Sequence, residues 1–165
     1  MRKKQLSLLL VIAVMFSMTF LPVFDAFAAP NEEPQRIFGQ TRFDTAVEIS
    51  KHGWPSGSET VVIATSHSFP DALAGATLAY QEDAPILLTS TNKLPDAIKG
   101  EITRLGAKKA IILGGTVAVS DNVRQELTAL GLTTERISGQ SRSETAVKIA
   151  ESLNQPFDKA IIVDG

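Results

Sequence analysis

Cysteine is absent from the 165-residue sequence, and histidine occurs only twice. The chain therefore has no disulfides, and its stability must come from a hydrophobic core. The sequence contains no HExxH motif, and two histidines without cysteine do not make a zinc site. It also lacks the GxGxxG and Gly-Lys-Ser/Thr fingerprints of nucleotide sites and the GxSxG motif of hydrolases. These absences predict a chain that is not catalytic by itself and that needs no metal or cofactor.

An excess of positive charge is also missing. The chain has 16 lysines and arginines against 18 acidic residues, a net charge of −2. Removing residues 1–28, which hold three basic residues and one acidic residue, leaves 13 against 17, a net charge of −4. Binding to nucleic acid needs a basic face, so nucleic acid is not expected as a partner. Any anionic polymer must be bound locally, through a few well-placed donors.

The N-terminus has the features of a signal peptide. Three basic residues at 2–4 precede an apolar run over 6–21, and the small-x-small sequence Ala-Phe-Ala follows at 26–28. The alternative is an uncleaved membrane anchor, but the apolar run is short for a span of about 20 residues. We therefore predict a signal peptide over 1–28, a linker over 29–35 and an exported mature chain.

The same stretch of sequence occurs twice, one hundred residues apart. RIFGQTRFDTAVEIS at 36–50 returns as RISGQSRSETAVKIA at 136–150, with nine of fifteen positions identical. The alignment continues without a gap to the end of the sequence, so that Val-Val-Ile at 61–63 matches Ile-Ile-Val at 161–163. Repeats at a fixed long period indicate an array of similar units. We predict one complete repeat followed by the truncated start of a second, over residues 36–131 and 132–165. The second part is expected to contain short strands at 136–138 and 159–163 that make fewer tertiary contacts than the first repeat.

Apolar strands alternate with helices within the first repeat. Continuous β-branched and aliphatic runs are typical of strands that are buried on both faces. They occur at 60–65, 85–89 and 109–113, and we expect these three strands to be central in the sheet. Amphipathic or Pro-Asp-initiated segments predict helices between them, at 41–52, 69–83 and 94–106, with another helix opened by Ser120. The pattern predicts an α/β protein, a Rossmann-like three-layer unit with a parallel sheet.

A capping box opens the first helix in both copies. Thr41 is followed three residues later by Asp44, and Ser141 is followed in the same way by Glu144. The exchanges of Thr for Ser and Asp for Glu should keep the same two hydrogen bonds. A glycine before each box is expected to make the turn into the helix, at Gly39 and Gly139.

Two arginines and two glycines are candidates for binding an anion. Arg42 and Arg142 lie at helix starts, where a guanidinium and backbone donors can converge on a phosphate or carboxylate; an ion pair with an acid such as Asp44 or Asp71 is the alternative. Gly114 and Gly115 follow a strand and could hold a phosphate by their backbone donors, or could simply form a tight turn.

Ser66-His67-Ser68 and Asp71 include the residue types of a hydrolase triad. A trio of adjacent residues cannot usually present the required geometry, so we interpret it as a loop. Asp71 is expected to cap its helix or to meet an arginine of the same or an adjacent repeat. The small residues that follow Asp71 are expected to allow close packing of the helix on the sheet.

Four motifs in a fixed order carry a resemblance to a known family. They are Arg-Ile-x-Gly-x-x-Arg-x-x-Thr-Ala, FPDALAGATLA, APILLT and AIILGGTVAVSDNV. In this order they resemble the cell wall binding repeat 2 family of Gram-positive bacteria. The resemblance implies exported surface proteins, usually with three such repeats, that are held non-covalently to the wall through its secondary anionic polymers. Such repeats often accompany an N-acetylmuramoyl-L-alanine amidase or a peptidase.

The resemblance also bears on individual residues. It implies that Pro85, Ile86, Leu87 and Leu88 matter for attachment to the wall polymer, whereas burial alone would make them a core strand. The motif residues expected to be structural are Gly39, Thr45, Asp71, Gly139 and Thr145.

These observations predict a non-covalent anchor of an exported, wall-associated protein, with a teichoic-acid-like or other secondary wall polymer and neighbouring repeats as its partners. The alternative is the targeting fragment of an autolysin-type wall hydrolase whose catalytic domain lies outside this sequence. A nucleotide-binding domain of Rossmann type is a third hypothesis, and the predicted export signal and the missing phosphate fingerprint count against it.

Overall fold

The computed structural model describes residues 34–154 as alternating strands and helices. The strands are β1 (Thr60–Thr65), β2 (Ile86–Thr89), β3 (Lys109–Leu113) and β4 (Thr133–Ile137). The helices are α1 (Arg42–Gly53), α2 (Pro70–Ala74), α3 (Ala76–Gln81), α4 (Asp96–Leu105), α5 (Asp121–Ala129) and α6 (Arg142–Glu151). No helix between residues 34 and 154 is long and apolar enough to cross a membrane.

The four strands form one parallel sheet in the order β2-β1-β3-β4. The parallel α/β fold predicted from the sequence is therefore confirmed. The strand at 85–89 was expected to be central, but β2 lies at the edge of the sheet. The prediction was wrong because helices cover both faces of a parallel sheet, so an edge strand can be as apolar as a central one.

Helices cover both faces of the sheet, and each face has its own core. The first face carries the side chains of Val61 and Ile63 and packs against α1, α4 and α5. The second face carries Val62 and packs against α2, α3 and α6. Successive residues of a strand point to opposite faces, which is why neighbours in β1 belong to different cores. The unit therefore has three layers.

Residues 133–151 complete this unit. β4 pairs with β3 over five positions, and Ile137 and Ile149 are buried in the core of the second face. The expectation that the chain from residue 136 onward would make few tertiary contacts is thus wrong for β4 and α6, because the sheet and its second face both need them. The repeat boundary at residue 131 stays a prediction about sequence repeats. The strand predicted at 159–163 lies outside the described residues.

The helix predicted over 69–83 is divided into α2 and α3 at Gly75. A side chain at Gly75 would collide with the side chain of Leu113 in β3. The glycine therefore lets this part of the chain lie directly on the sheet. Of the small residues around it, Ala74 and Ala79 pack in the core of the second face, as expected, whereas Ala76 is exposed.

The helix ends follow the sequence signals with two exceptions. In α1 both bonds of the capping box are present. In α6 the Ser141 hydroxyl accepts from the Glu144 N–H, but the Glu144 carboxylate accepts from the N–H of Gln140 instead of Ser141. Glutamate is one methylene longer than aspartate, so it reaches one residue further back. Ser120 stands at the N-cap of α5, but its hydroxyl makes no hydrogen bond within residues 34–154.

A buried carboxylate joins α4 to the end of α1. The Glu101 side chain is 1% exposed, and its two oxygens accept from Nε and Nη2 of Arg104 at 2.9 and 2.7 Å. The same Nη2 donates to the Trp54 carbonyl at 3.1 Å. Burial raises the pKa of Glu101, but the hydrogen bonds and the positive charge of Arg104 outweigh it, so the pKa is lowered. The pair therefore stays ionised.

Candidate functional site

The carboxyl ends of the strands bring the candidate residues of the two sequence repeats together. In parallel α/β sheets, ligands bind outside these ends at the point where consecutive connections leave in opposite directions. Here β2 and β3 lie on opposite sides of β1, so this point lies between β1 and β3. The loop after β1 leads to Asp71, and the loop after β3 begins at Gly114.

Asp71 faces both Gly114 and an arginine of the second repeat. A Cβ atom on Gly114 would collide with the Asp71 carboxylate, so glycine is required for this approach. The side chain of Asp71 does not cap α2, whose N-cap residue is Phe69. Burial raises the pKa of Asp71, and the charge of Arg142 partly offsets this effect. Of the two roles expected for Asp71, the helix cap is absent, and pairing with an arginine of the adjacent repeat stays a prediction that the charge of Arg142 supports.

The two equivalent arginines are in different situations. Arg42 is exposed, and its Nη1 donates to the Ser66 carbonyl at 2.7 Å, so it holds the loop after β1. Arg142 is exposed and its side chain donates no hydrogen bond to any residue from 34 to 154, although the charge of Asp71 attracts it. Asp44 pairs with neither arginine, because its carboxylate accepts from Thr41 in the capping box. Donors at the carboxyl ends of the strands are therefore available from the whole Arg142 guanidinium and from the nitrogens of Arg42 other than Nη1.

Gly114 forms a tight turn and does not cradle a phosphate. Its φ angle is +93°, a conformation that favours glycine. Its N–H donates to the Ile137 carbonyl at 2.9 Å, which leaves no donor for a ligand. The carbonyl oxygen of Gly115 accepts from Ala118 and Val119 and closes the turn. Of the two interpretations of this glycine pair, the structural one applies to Gly114.

Arg136 is a residue whose role the sequence did not reveal. Its Nη1 donates to the Gly114 carbonyl at 2.8 Å, and its Nη2 lies 3.5 Å from Asp121. Burial lowers the pKa of Arg136, and the charge of Asp121 opposes this. Arg136 thus ties β4 to the loop after β3. The one available signal was its position in the repeated Arg-Ile pair at 36–37 and 136–137.

The Pro-Ile-Leu-Leu segment lies in and before the edge strand β2. Leu87 is fully buried on the first face, and Ile86 packs against the core of the second face. The Pro85 carbonyl accepts from the N–H of Val62, so it starts the pairing of β2 with β1. Leu88 is partly buried. These residues carry no polar side chain toward Asp71, and their packing accounts for their positions.

The β2 strand still supports the site indirectly. The N–H of Ser66 donates to the Thr89 carbonyl at 2.8 Å, and the Ser66 carbonyl in turn accepts from Arg42. Unfolding β2 would therefore release the loop after β1. A contribution of Pro85–Leu88 to attachment remains a prediction, with this indirect route as its physical basis.

The repeated glycine and threonine set the start of both arginine-bearing helices. Gly39 N–H donates to Thr45 Oγ1 at 3.0 Å, and Gly139 N–H donates to Thr145 Oγ1 at the same distance. Each threonine hydroxyl also donates to the carbonyl of its N-cap residue at 3.0 Å. A Cβ atom on Gly139 would stand 2.6 Å from the backbone carbon of Glu144, so only glycine fits.

The remaining polar residues do not assemble a reactive centre. His67 is exposed in the loop after β1, and His52 is exposed near the end of α1. Between residues 34 and 154, no group of three or more histidine and acidic side chains could hold a metal ion. A depression near the amino ends of the strands is lined in part by Glu59, Glu82 and Asp83. Its negative charge makes it a poor site for an anionic ligand.

The architecture is that of a three-layer α/β module built from two sequence repeats. The strand β4 of the second repeat completes the sheet of the first, and the helix α6 covers the second face of that sheet. Residues 36–124 match the model of the cell wall binding domain 2 (CWB2) family. The chain belongs to this family. The resemblance described above and the predicted function, non-covalent binding to the cell wall, are thereby confirmed.

Individual relatives agree with this assignment. The chain is 36% identical over 145 residues to the N-acetylmuramoyl-L-alanine amidase LytC of Bacillus subtilis (strain 168), which covers 88% of this chain and 29% of the amidase. Among solved structures, it is similar to Cwp6 and Cwp8 from Clostridium difficile, each with 39% identity and a TM-score of 0.68. The matches cover 70% of this chain and 18% of Cwp6, and 72% of this chain and 21% of Cwp8. The chain thus spans less than a third of each relative.

Proposed function

We propose that this chain binds a secondary anionic polymer of the wall at the carboxyl ends of its strands, and that Arg142 is the main contact. The observation that carries the proposal is that Arg142 is exposed and that its side chain donates no hydrogen bond within residues 34–154. A guanidinium in this state can donate two parallel hydrogen bonds to a phosphate or carboxylate. The polymer is therefore a phosphate- or carboxylate-bearing chain, such as a teichoic-acid-like polymer.

Asp71 supports this role by its position beside Arg142. Its negative charge attracts the guanidinium and limits the directions in which the long side chain points. Arg42 is more restrained, because its Nη1 donates to the Ser66 carbonyl, which leaves only its other nitrogens for a ligand. The site therefore combines residues of two repeats, and a single repeat would supply only half of it. We expect this chain alone to bind weakly and linked further repeats to bind more tightly.

The test compares native walls with walls that have been stripped of secondary polymers while the peptidoglycan is kept. We expect the chain to sediment with native walls and not with stripped walls, and added salt should weaken the binding. Arg142→Ala should lower the affinity roughly tenfold, the loss of a charge-assisted hydrogen bond. Equal binding to both kinds of wall would identify peptidoglycan as the ligand and refute the proposal.

The matched control is Arg124→Ala. Arg124 is also exposed, and its Nε donates to Thr134 Oγ1 in β4. The variant removes the same charge from the chain. If both variants weakened binding equally, general electrostatic attraction would explain the effect, and Arg142 would have no special role.

We also propose that the chain is exported after cleavage at Ala28. The supporting observation is the order of basic, apolar and small residues over 1–28. N-terminal sequencing of the protein recovered from the wall should begin at Ala29. A form that began at Met1 would show that the segment is retained as an anchor.

A second proposal is that this chain targets a cell wall hydrolase to its substrate. The amidase relative supports it, because this chain aligns with under a third of that protein and leaves room for a catalytic part. The gene product that contains this chain should then release soluble fragments from purified peptidoglycan. Wall binding without any release of fragments would leave anchoring as the sole function.

A further inference from the structure

The two equivalent arginines reach one segment of the chain from opposite faces of the sheet. Arg42 begins α1 on the first face, where α1 packs on β2 and α4, and its Nη1 donates to the Ser66 carbonyl at 2.7 Å. Arg142 begins α6 on the second face, and its charge acts on Asp71 in the first turn of α2. The segment 66–71 therefore lies between the two guanidinium groups.

Each arginine is held at its own end of this segment. Ser66 and Asp71 are five positions apart in the sequence, and an extended chain spans at most about 3.5 Å per residue, so their Cα atoms lie within about 18 Å of each other. Each guanidinium also keeps donors for a ligand. Within residues 34–154, Nε and Nη2 of Arg42 donate no hydrogen bond, and neither does any nitrogen of the Arg142 side chain. The pair thus offers two separate points of attachment.

The surface between the two arginines carries little negative charge. Residues 66–70 include no acidic side chain, and His67 among them is exposed. The Asp44 carboxylate on α1 accepts its hydrogen bonds within the capping box. Asp71 is partly buried and faces Gly114, so its charge is turned toward the protein. An anionic chain that runs from one arginine to the other therefore meets only weak repulsion.

Building on the proposed function, we propose that Arg42 and Arg142 bind two anionic groups of the same polymer molecule. The ligand of this site is then a chain whose phosphate or carboxylate groups recur within the reach of the segment 66–71. Binding at one arginine raises the effective concentration of the next anionic group at the other, so that two weak contacts act together. An isolated anion gains no such linkage. The length of the anionic chain therefore decides how tightly it binds.

Phosphate chains of different length test this in the intact protein. Calorimetric titration at constant ionic strength would compare tripolyphosphate with a long linear polyphosphate, with affinities expressed per phosphate group. If the short probe occupies one arginine at a time and the long probe occupies both, the long probe should bind at least roughly tenfold more tightly. Arg142→Ala should remove this advantage. With tripolyphosphate the same variant should cost only about twofold, because one of two independent sites is lost.

Arg42→Ala separates a binding role of Arg42 from a purely structural one. We expect the affinity for the long probe to fall roughly tenfold and the affinity for tripolyphosphate to fall about twofold, as in Arg142→Ala. If Arg42 only held the loop through the Ser66 carbonyl, its removal would weaken both probes equally. Arg124→Ala is the matched control, because it removes one positive charge outside the site and should leave both affinities within about twofold of the parent.

Two results would overturn the two-point contact. One is equal affinity per phosphate group for both probes in the unsubstituted protein, a measurement that needs no variant. The other is an equal loss for both probes in Arg42→Ala. Failure of the proposed function has a different signature, since then neither probe would bind, or Arg142→Ala would leave both affinities unchanged.

Discussion

Replacing Ile149 by alanine should destabilise the entire unit, because this side chain fills the core between α6 and the second face of the sheet. Ile149 is 1% exposed and belongs to the same core as residues of α3, β1, β3 and β4. The substitution removes three carbon groups, worth about 0.8 kcal/mol each by transfer from water. The cavity left behind adds to this cost, so we expect a loss of about 3 kcal/mol in the free energy of unfolding.

The equivalent positions give three comparisons within the same molecule. Val147→Ala should change the free energy of unfolding by less than about 0.5 kcal/mol, because the side chain is largely exposed. In α1 the order should reverse. Val47→Ala should cost about 2 kcal/mol, and Ile49→Ala should have a small effect. The identity of the residue thus matters less than the side of the helix that is buried.

Urea unfolding followed by circular dichroism measures all four variants. A decrease in the transition midpoint for Ile149→Ala, with an unchanged slope, would mean that α6 unfolds together with the rest of the unit. If residues from 136 onward were the separate beginning of a second unit, Ile149→Ala would leave the main transition where it is in the unsubstituted chain. That result would refute the packing argument.

Three further predictions follow from single contacts. Arg104→Ala should cost about 3 kcal/mol near neutral pH because it leaves the buried Glu101 carboxylate unpaired. Because the pKa of Glu101 is lowered in the folded state, the ion pair stabilises the protein above the unfolded pKa of Glu101, and this stabilisation is lost as the pH falls through the folded pKa. Urea unfolding in acid should therefore show a smaller difference between the variant and the parent. Asp71→Asn should raise the thermal midpoint at neutral pH, because a raised pKa means that stability falls as the pH rises through the native pKa. The gain should vanish in acid, and a lower midpoint at neutral pH would contradict it. Gly139→Ala should cost about 2 kcal/mol through overlap with Glu144, and unchanged urea unfolding would argue against a steric role for the glycine.

Local features of this protein follow from its sequence alone. The buried strands, the start of α1 at Thr41 and the left-handed end of α4 at Gly106 depend on side-chain type and on neighbours a few residues away. The duplicated Gly-x-x-x-x-x-Thr spacing likewise forms the same contact in both copies, because all of its atoms lie within seven residues. These features could be predicted because the interactions that create them are short in sequence.

Other features were decided only by tertiary structure. The sequence predicts an amphipathic helix in both copies, but whether Val147 or Ile149 is buried depends on which sheet lies beside α6. In the same way, Arg142 differs from Arg42 because the partner carbonyl of Arg42 comes from a loop 24 residues away. The spacing of apolar residues indicates which sides of a helix are apolar. The strand order decides which neighbouring elements cover those sides. Strand order depends on contacts between distant segments, and the hydrophobicity of a segment carries no information about it.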